Sequence, residues 1–157
     1  MSDNVSSPEH YIKNSITLQP IELSGRLTST MGQIFQYVIR RKDKNTEIEN
    51  LEKAVYWLKW YWNNTGEISG KDVLWVSDPE VDQELLNGLI RVFGLFSKDL
   101  ITKLFVITLF CKGAYITEES VMATCEILED EIIRLRAKAK VCAESHLDEI
   151  GEPTRSE

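Results

Sequence analysis

Four cations within five positions carry the clearest chemistry of this chain. They stand where one predicted helix ends and a turn begins: Arg40, Arg41, Lys42 and Lys44. Arginine binds phosphate through a planar fork and lysine through a compact charge, so the cluster predicts a phosphate site. The next helix N-terminus would add free N–H groups beside it. Cations near a helix C-terminus also complement the helix dipole, and the pattern alone leaves both interpretations open.

Aromatic side chains are dense in the helix after this turn and exceed what one helix face can bury. They are Tyr56, Trp57, Trp60, Tyr61 and Trp62. Part of this surface must therefore meet another element, a partner or a ligand base. Near the N-terminus, His10 and Tyr11 can stack on a base, donate to phosphate or anchor packing.

The familiar catalytic motifs are missing from the sequence. It contains no GxxxxGK[ST] loop for nucleotide phosphates and no GxSxG, HExxH or CxxC motif. The carboxylates that remain as candidates for Mg²⁺ have helical spacing: Glu49 with Glu52, and Glu126 with Glu129 and Asp130. Their wide separation favours a solvated acidic face, so we predict no metal site in these residues.

A helical hairpin is predicted to position the cations. Apolar residues at helical spacing indicate a first helix over residues 30–42. Thr46 and Glu49 form a capping box, which predicts a second helix from Glu47, and Glu49 with Lys53 forms a favourable i,i+4 pair. We expect this hairpin unit to cover residues 1–64.

The remainder of the sequence predicts more helices, so the expected fold class is all-α, with C-terminal helices forming a bundle. Residues 65–77 are predicted to be a linker with an extended piece at 73–76, and residues 151–157 a disordered tail. Within the C-terminal extension, residues 78–150, Asp78 with Pro79 starts one helix, residues 97–99 cap a second, and Thr117 caps the last.

The last helix has apolar residues at a 3.5-residue period. They include Val121, Cys125, Leu128, Ile132 and Leu135. Such a heptad face suits either a bundle helix inside one subunit or the seam of a homodimer. The pattern does not decide between the two.

Composition excludes several classes of function. The formal net charge of −7 argues against general nucleic-acid binding. The N-terminus does not resemble a signal peptide, and the apolar run at residues 100–111 is too short to span a membrane. The three cysteines, Cys111, Cys125 and Cys142, are expected to be reduced and buried in a cytoplasmic protein.

The hairpin resembles a family of small bacteriophage proteins that includes a nucleotide kinase without a P-loop. The resemblance covers roughly residues 8–62 and begins with the Pro-x-His-Tyr motif at residues 8–11. It continues through a Gly-Asn-x-x-Lys-Tyr-x-x-Arg pattern over residues 32–40 and a Lys-Asn turn at 44–45. An Asp-Leu-x-Lys-Ala-x-x-Tyr-Leu pattern then matches residues 50–58.

The resemblance implies a nucleotide-binding protein acting in the cytoplasm of an infected bacterium. The binding residues that it implies are His10, Tyr11, Tyr37, Arg40, Lys44 and Lys53. Gln36 and Asn50 stand where the family usually has lysine and aspartate, which removes one phosphate-binding charge and one candidate Mg²⁺ ligand or base. Mg²⁺ is expected only if the chain phosphorylates nucleotides. The alternative is a non-enzymatic phage protein that binds and inhibits a host factor through its acidic helical surface.

Overall fold

The computed structural model describes residues 27–43, 46–64, 71–72, 84, 86–88, 90–113 and 115–150. Four α-helices have both ends in this part of the chain: α1 (Ser29–Ile39), α2 (Glu47–Asn64), α3 (Leu100–Leu109) and α4 (Glu118–Ile150). Residues 84 and 86–88 are also helical. A π-helical turn, Ile90–Leu95, precedes α3. Two short strands, β1 (Lys71–Asp72) and β2 (Tyr115–Ile116), pair antiparallel. The all-α prediction is confirmed, since the strands add only one two-residue pair to the described helices.

The predicted helical hairpin is formed by α1 and α2. Thr46 caps α2 by accepting a hydrogen bond of 3.2 Å from the backbone N–H of Glu49 on its side-chain oxygen, as the capping box predicts. The first helix ends at Ile39, earlier than the predicted residue 42, because residues 41–43 form a turn closed by the Asp43 N–H and the Arg40 carbonyl. That turn places neighbouring cations on different sides of the chain.

Helix α4 packs against both α2 and α3 and supplies much of the core. Val121, Cys125, Leu128 and Ile132 are buried within the single chain, and Leu135 packs against them. The heptad face is therefore used inside the subunit, as one of the two alternatives predicted. The homodimer seam through these five residues is not supported, because forming it would require opening the bundle.

The C-terminal caps follow the sequence closely. Asp99 caps α3 by accepting from the Thr102 amide at 2.9 Å. At the start of α4, Thr117 and Ser120 exchange backbone-to-side-chain hydrogen bonds of 3.0 and 3.2 Å. Between α3 and α4, Gly113 turns the chain with φ of 74°, a conformation that favours glycine. These caps set the start of each helix and thereby the register of its core face.

Some predictions need correction, and others lie outside the described residues. Cys111 and Cys142 are exposed, and only Cys125 is buried as expected, because the other two lie off the core face of their segments. The linker piece at 73–76, the helix start at Asp78 and the tail at 151–157 lie outside the described residues. Within the described residues, no helix has the length and apolarity needed to cross a membrane.

Candidate functional site

The basic cluster is divided between the interior and the surface. Arg41 is only 2% exposed, and its Nη2 contacts both carboxylate oxygens of Asp99 at 2.6 and 2.7 Å. Its Nε donates to Glu47 at 2.9 Å, and its Nη1 donates to the Val38 carbonyl at 2.9 Å. Arg41 therefore connects the hairpin to the start of α3 and is occupied by internal partners.

Asp99 receives a second cation from the same cluster. The Nζ of Lys42, whose side chain is 62% exposed, lies 3.1 Å from the outer carboxylate oxygen. Partial burial would raise the pKa of Asp99, but the Thr102 amide and the Arg41 guanidinium lower it well below its ordinary value. Asp99 thus stays ionised and neutralises Arg41 and Lys42, two of the four cations that the sequence predicted to bind phosphate.

Asn50 supports the same turn from α2. Its buried side-chain amide donates to the backbone carbonyl of Arg41 at 3.1 Å. An ionised aspartate has no hydrogen to donate there and would place a second acceptor against the carbonyl. The asparagine that departs from the family pattern consequently has a structural role in this chain.

Three predicted binding residues lie at one corner of the hairpin. The Lys53 Nζ is 6.0 Å from the centroid of the Tyr37 ring, at the outer limit of a cation–π contact. Arg40 follows Tyr37 by three residues and hydrogen-bonds Gln36 at 3.4 Å, a long contact. We refer to Tyr37, Arg40 and Lys53 as the hairpin corner. The other predicted ligands, His10, Tyr11 and Lys44, lie outside the described residues.

Lys53 also carries the ion pair that its spacing predicts. Its Nζ lies 2.6 Å from the Glu49 carboxylate, and this hydrogen bond raises the pKa of Lys53 above its ordinary value. Both side chains remain partly exposed, so the pair is screened by water. The Lys53 charge is therefore held near Tyr37 by a partner that an incoming anion can replace.

A cleft of about 540 Å³ opens between α2 and α4, away from the basic cluster. Its floor is formed by Val55 and Ile132, and its walls by Tyr56 and Ile133, which are 61% and 62% exposed. We call this cleft the α2–α4 groove. Apolar walls on an open groove are typical of a surface that receives a partner's side chain.

Two ion pairs bound the α2–α4 groove. Lys59 pairs with Glu129 at 2.5 Å, and Arg136 pairs with Glu52. Each pair joins α2 to α4, and the two pairs are seven residues apart on both helices. The earlier residue of α2, Glu52, pairs with the later residue of α4, Arg136. The helices are therefore antiparallel, and Tyr56 lies halfway between the two pairs. The predicted solvated acidic face is seen at Glu126 and Asp130, which are exposed.

The long-range partners of the site leave no signal in the sequence. Asp99 was expected to cap a helix, but its pairing with Arg41, 58 residues earlier, left no signal in the local spacing. The α2–α4 groove was also missed, although the excess of aromatic residues on α2 pointed to a surface that one helix face could not bury. Among the described residues there is no group of three metal-binding side chains.

Comparison with known proteins adds no relative. Neither the scan of family models nor the searches of curated proteins and solved structures found a match. The resemblance to phage proteins therefore stays a prediction.

Proposed function

We propose that this chain is a phage-type nucleotide-binding protein, kinase-like in ancestry, that holds a nucleotide phosphate at the hairpin corner without transferring it. The observation that carries the proposal is the Lys53 Nζ beside the Tyr37 ring, with Arg40 one helical turn after Tyr37. One aromatic ring beside two cations is a combination suited to a base and its phosphate.

The ion pair of Lys53 is compatible with this role. Glu49 is a single exposed carboxylate on the same helix, whereas a nucleotide phosphate carries more charge and more acceptor oxygens. The phosphate would take the place of Glu49 at Lys53 and receive the Arg40 fork from the other side. The Tyr37 ring would then lie against the base or the sugar.

Phosphoryl transfer is not part of the proposal, because the charges that it needs are engaged or absent. Arg41 and Lys42 are bound to Asp99. Asn50 is neutral and its side-chain N–H donates to a backbone carbonyl, so it offers neither a base nor a charged ligand for Mg²⁺. Any Mg²⁺ would accompany the nucleotide phosphates, and the implied ligands His10, Tyr11 and Lys44 would complete the site.

Thermal stabilisation by nucleotides tests the proposal. At a concentration about twenty times Kd, a nucleoside mono-, di- or triphosphate with Mg²⁺ should raise the Tm of the protein by about 5 °C. Lys53→Gln should abolish the rise. Lys59→Gln is the matched control, since Lys59 is also on α2 and also paired with a glutamate, but lies at the groove.

The nucleotide panel also separates binding from catalysis. We expect that the protein whose Tm is raised by a nucleotide does not transfer labelled phosphate from one nucleotide to another. If no nucleotide shifts Tm, or if Lys53→Gln and Lys59→Gln behave alike, the hairpin corner is not a nucleotide site. If the protein transfers phosphate and Lys53→Gln abolishes the transfer, the chain is instead an active nucleotide kinase.

A second candidate, a non-enzymatic protein that binds a host factor, is favoured by the α2–α4 groove. Its apolar walls, the exposed Glu126 and Asp130 nearby and the net charge of −7 suit a basic amphipathic segment. A photocrosslinker at Ile133 should capture a partner that then binds the purified chain and loses binding on Ile133→Asp. Val141→Asp, at a similarly exposed position of α4, should leave that binding intact.

A further inference from the structure

One side of the molecule, formed by the π-helical turn and α3, exposes a continuous apolar surface. Its members are Leu95, Phe96, Leu100, Leu104 and Ile107, which we call the α3 patch. Leu100, Leu104 and Ile107 follow i, i+4, i+7 spacing on the face opposite to the buried Phe105 and Leu109. Phe96 is the most prominent residue, with 71% of its surface exposed.

The two segments of the α3 patch are in close contact. A Cβ built on Gly94 would lie 3.1 Å from the Ile107 side chain, so the π-helical turn packs directly against α3 at this glycine. Leu95 and Phe96 therefore extend the α3 stripe rather than forming a separate site. The exposed parts of the five side chains amount to roughly 500 Å², at the upper end for a monomer surface.

The charge around the α3 patch is opposite to that of the whole protein. Arg91, Lys98 and Lys103 surround it, and none of the three forms an ion pair within the described part of the chain. The α2–α4 groove, in contrast, lies beside Glu126 and Asp130, exposed acids that have no ion pair among the described residues. The charges that line the groove balance each other, so the complementarity lies between the three cations around the patch and the two acids, Glu126 and Asp130, beside the groove.

We propose that the α2–α4 groove receives the α3 patch of a second copy of this chain, with Phe96 inserted between Tyr56 and Ile133. The proposal rests on the groove as a docking surface and is independent of the nucleotide site. Phe96 provides a projecting aromatic side chain, and the groove provides two exposed apolar walls above a buried floor. The charges around the patch meet Glu126 and Asp130 of the other copy.

This contact joins two different surfaces and does not close on itself. The α3 patch and the α2–α4 groove share no residue, so each copy retains one unused surface after pairing and can add another copy head to tail. A contact that covers the whole patch and an equal area of the other copy, in and around the groove, would bury about 1,000 Å², the lower limit for a specific interface. Association should therefore be weak and concentration-dependent, and salt should slow it by screening the charges.

Sedimentation velocity on the purified full chain tests this arrangement. The wild-type protein should sediment faster as its concentration is raised, to masses above the 18.0 kDa monomer. Phe96→Asp and Ile133→Asp should each remain monomeric, since each loses one of the two surfaces. Both side chains are largely exposed, so the helical circular dichroism and Tm should be unchanged.

Mixing the two variants gives the decisive result. Phe96→Asp keeps its groove and Ile133→Asp keeps its patch, so the equimolar mixture should form a species of twice the monomer mass and nothing larger. Val141→Asp, which changes an equally exposed apolar residue outside both surfaces, should behave as wild type.

Three results would overturn the inference. One is a wild-type protein that stays monomeric at high concentration. Another is association that survives either variant. A third is a mixture of Phe96→Asp and Ile133→Asp that stays monomeric, because the intact groove of the first variant and the intact patch of the second must pair if the contact joins these two surfaces. None of these results bears on capture of a different protein at Ile133, which the photocrosslinking experiment measures separately.

Discussion

The Arg41–Asp99 ion pair should be the polar contact whose loss most destabilises this chain. Asp99→Asn removes the charge but keeps a side-chain oxygen that can cap α3. Arg41 would remain 2% exposed, and among the described residues Glu47, at 2.9 Å, would be the one carboxylate left as its partner. Breaking one side of a buried pair costs about 3–5 kcal/mol, and because the Asp99 side chain is 29% exposed we expect about 2 kcal/mol.

Two further variants divide this loss into its parts. Asp99→Ala also removes the hydrogen bond from the Thr102 amide, so it should cost about 1 kcal/mol more than Asp99→Asn. Lys42→Ala removes the exposed cation from the same carboxylate and should cost less than about 1 kcal/mol. Urea unfolding, followed by tryptophan fluorescence and circular dichroism, measures each free energy of unfolding.

The dependence on pH provides an independent check. The pKa of Asp99 is lowered in the folded chain, so its contribution is complete above the unfolded value of about 4 and is lost as pH falls below it. The difference in unfolding free energy between wild type and Asp99→Asn should therefore shrink by about 1 kcal/mol between pH 5 and pH 3. A difference that is constant over this range, or a Lys42→Ala loss equal to that of Asp99→Asn, would refute the reasoning.

Two other predictions follow from buried groups. Asn50→Asp should lower the free energy of unfolding at neutral pH by about 1–3 kcal/mol, because a carboxylate cannot donate to the Arg41 carbonyl, and urea unfolding at acidic pH should recover part of the loss. Thiol labelling of the native protein should modify Cys111 and Cys142 but not Cys125, whose pKa is raised by burial to about 11. Mass spectrometry counts the labels, and rapid modification of all three thiols would contradict the burial of Cys125.

The sequence predicted those parts of the fold that depend on neighbouring residues. Three helices start within a few residues of the predicted positions. Their caps are Thr46 (with Glu49 in a capping box), Asp99 and Thr117. Such signals are local, because a cap and the N–H that it accepts lie within one helical turn. The Glu49–Lys53 pair was predictable for the same reason.

The candidate site was predicted less completely, because charge pairing depends on tertiary contacts. Arg40 and Arg41 are adjacent and of the same type, yet the turn after α1 directs Arg41 inward to Asp99 and leaves Arg40 beside Gln36. Asp99 lies 58 residues from Arg41, so the local sequence gives no signal of this pairing. The sequence left the choice between a homodimer seam and a bundle helix open for a similar reason, since a heptad pattern indicates that a face is buried but not in which chain its partner lies.

Asn50 shows why a single substitution is not expected to restore the activity that the family resemblance implies. An aspartate there would return the candidate Mg²⁺ ligand, but it would also remove the donor to the Arg41 carbonyl and place a buried negative charge in the turn. The Arg41 guanidinium is held by Asp99 at the start of α3, so the carbonyl that Asn50 binds is fixed in place. The loss of the acid and the internal use of the basic cluster are therefore coupled. Recovering a catalytic site would require releasing Arg41 from Asp99 at the same time, at the cost of the contact that joins the hairpin to the rest of the bundle.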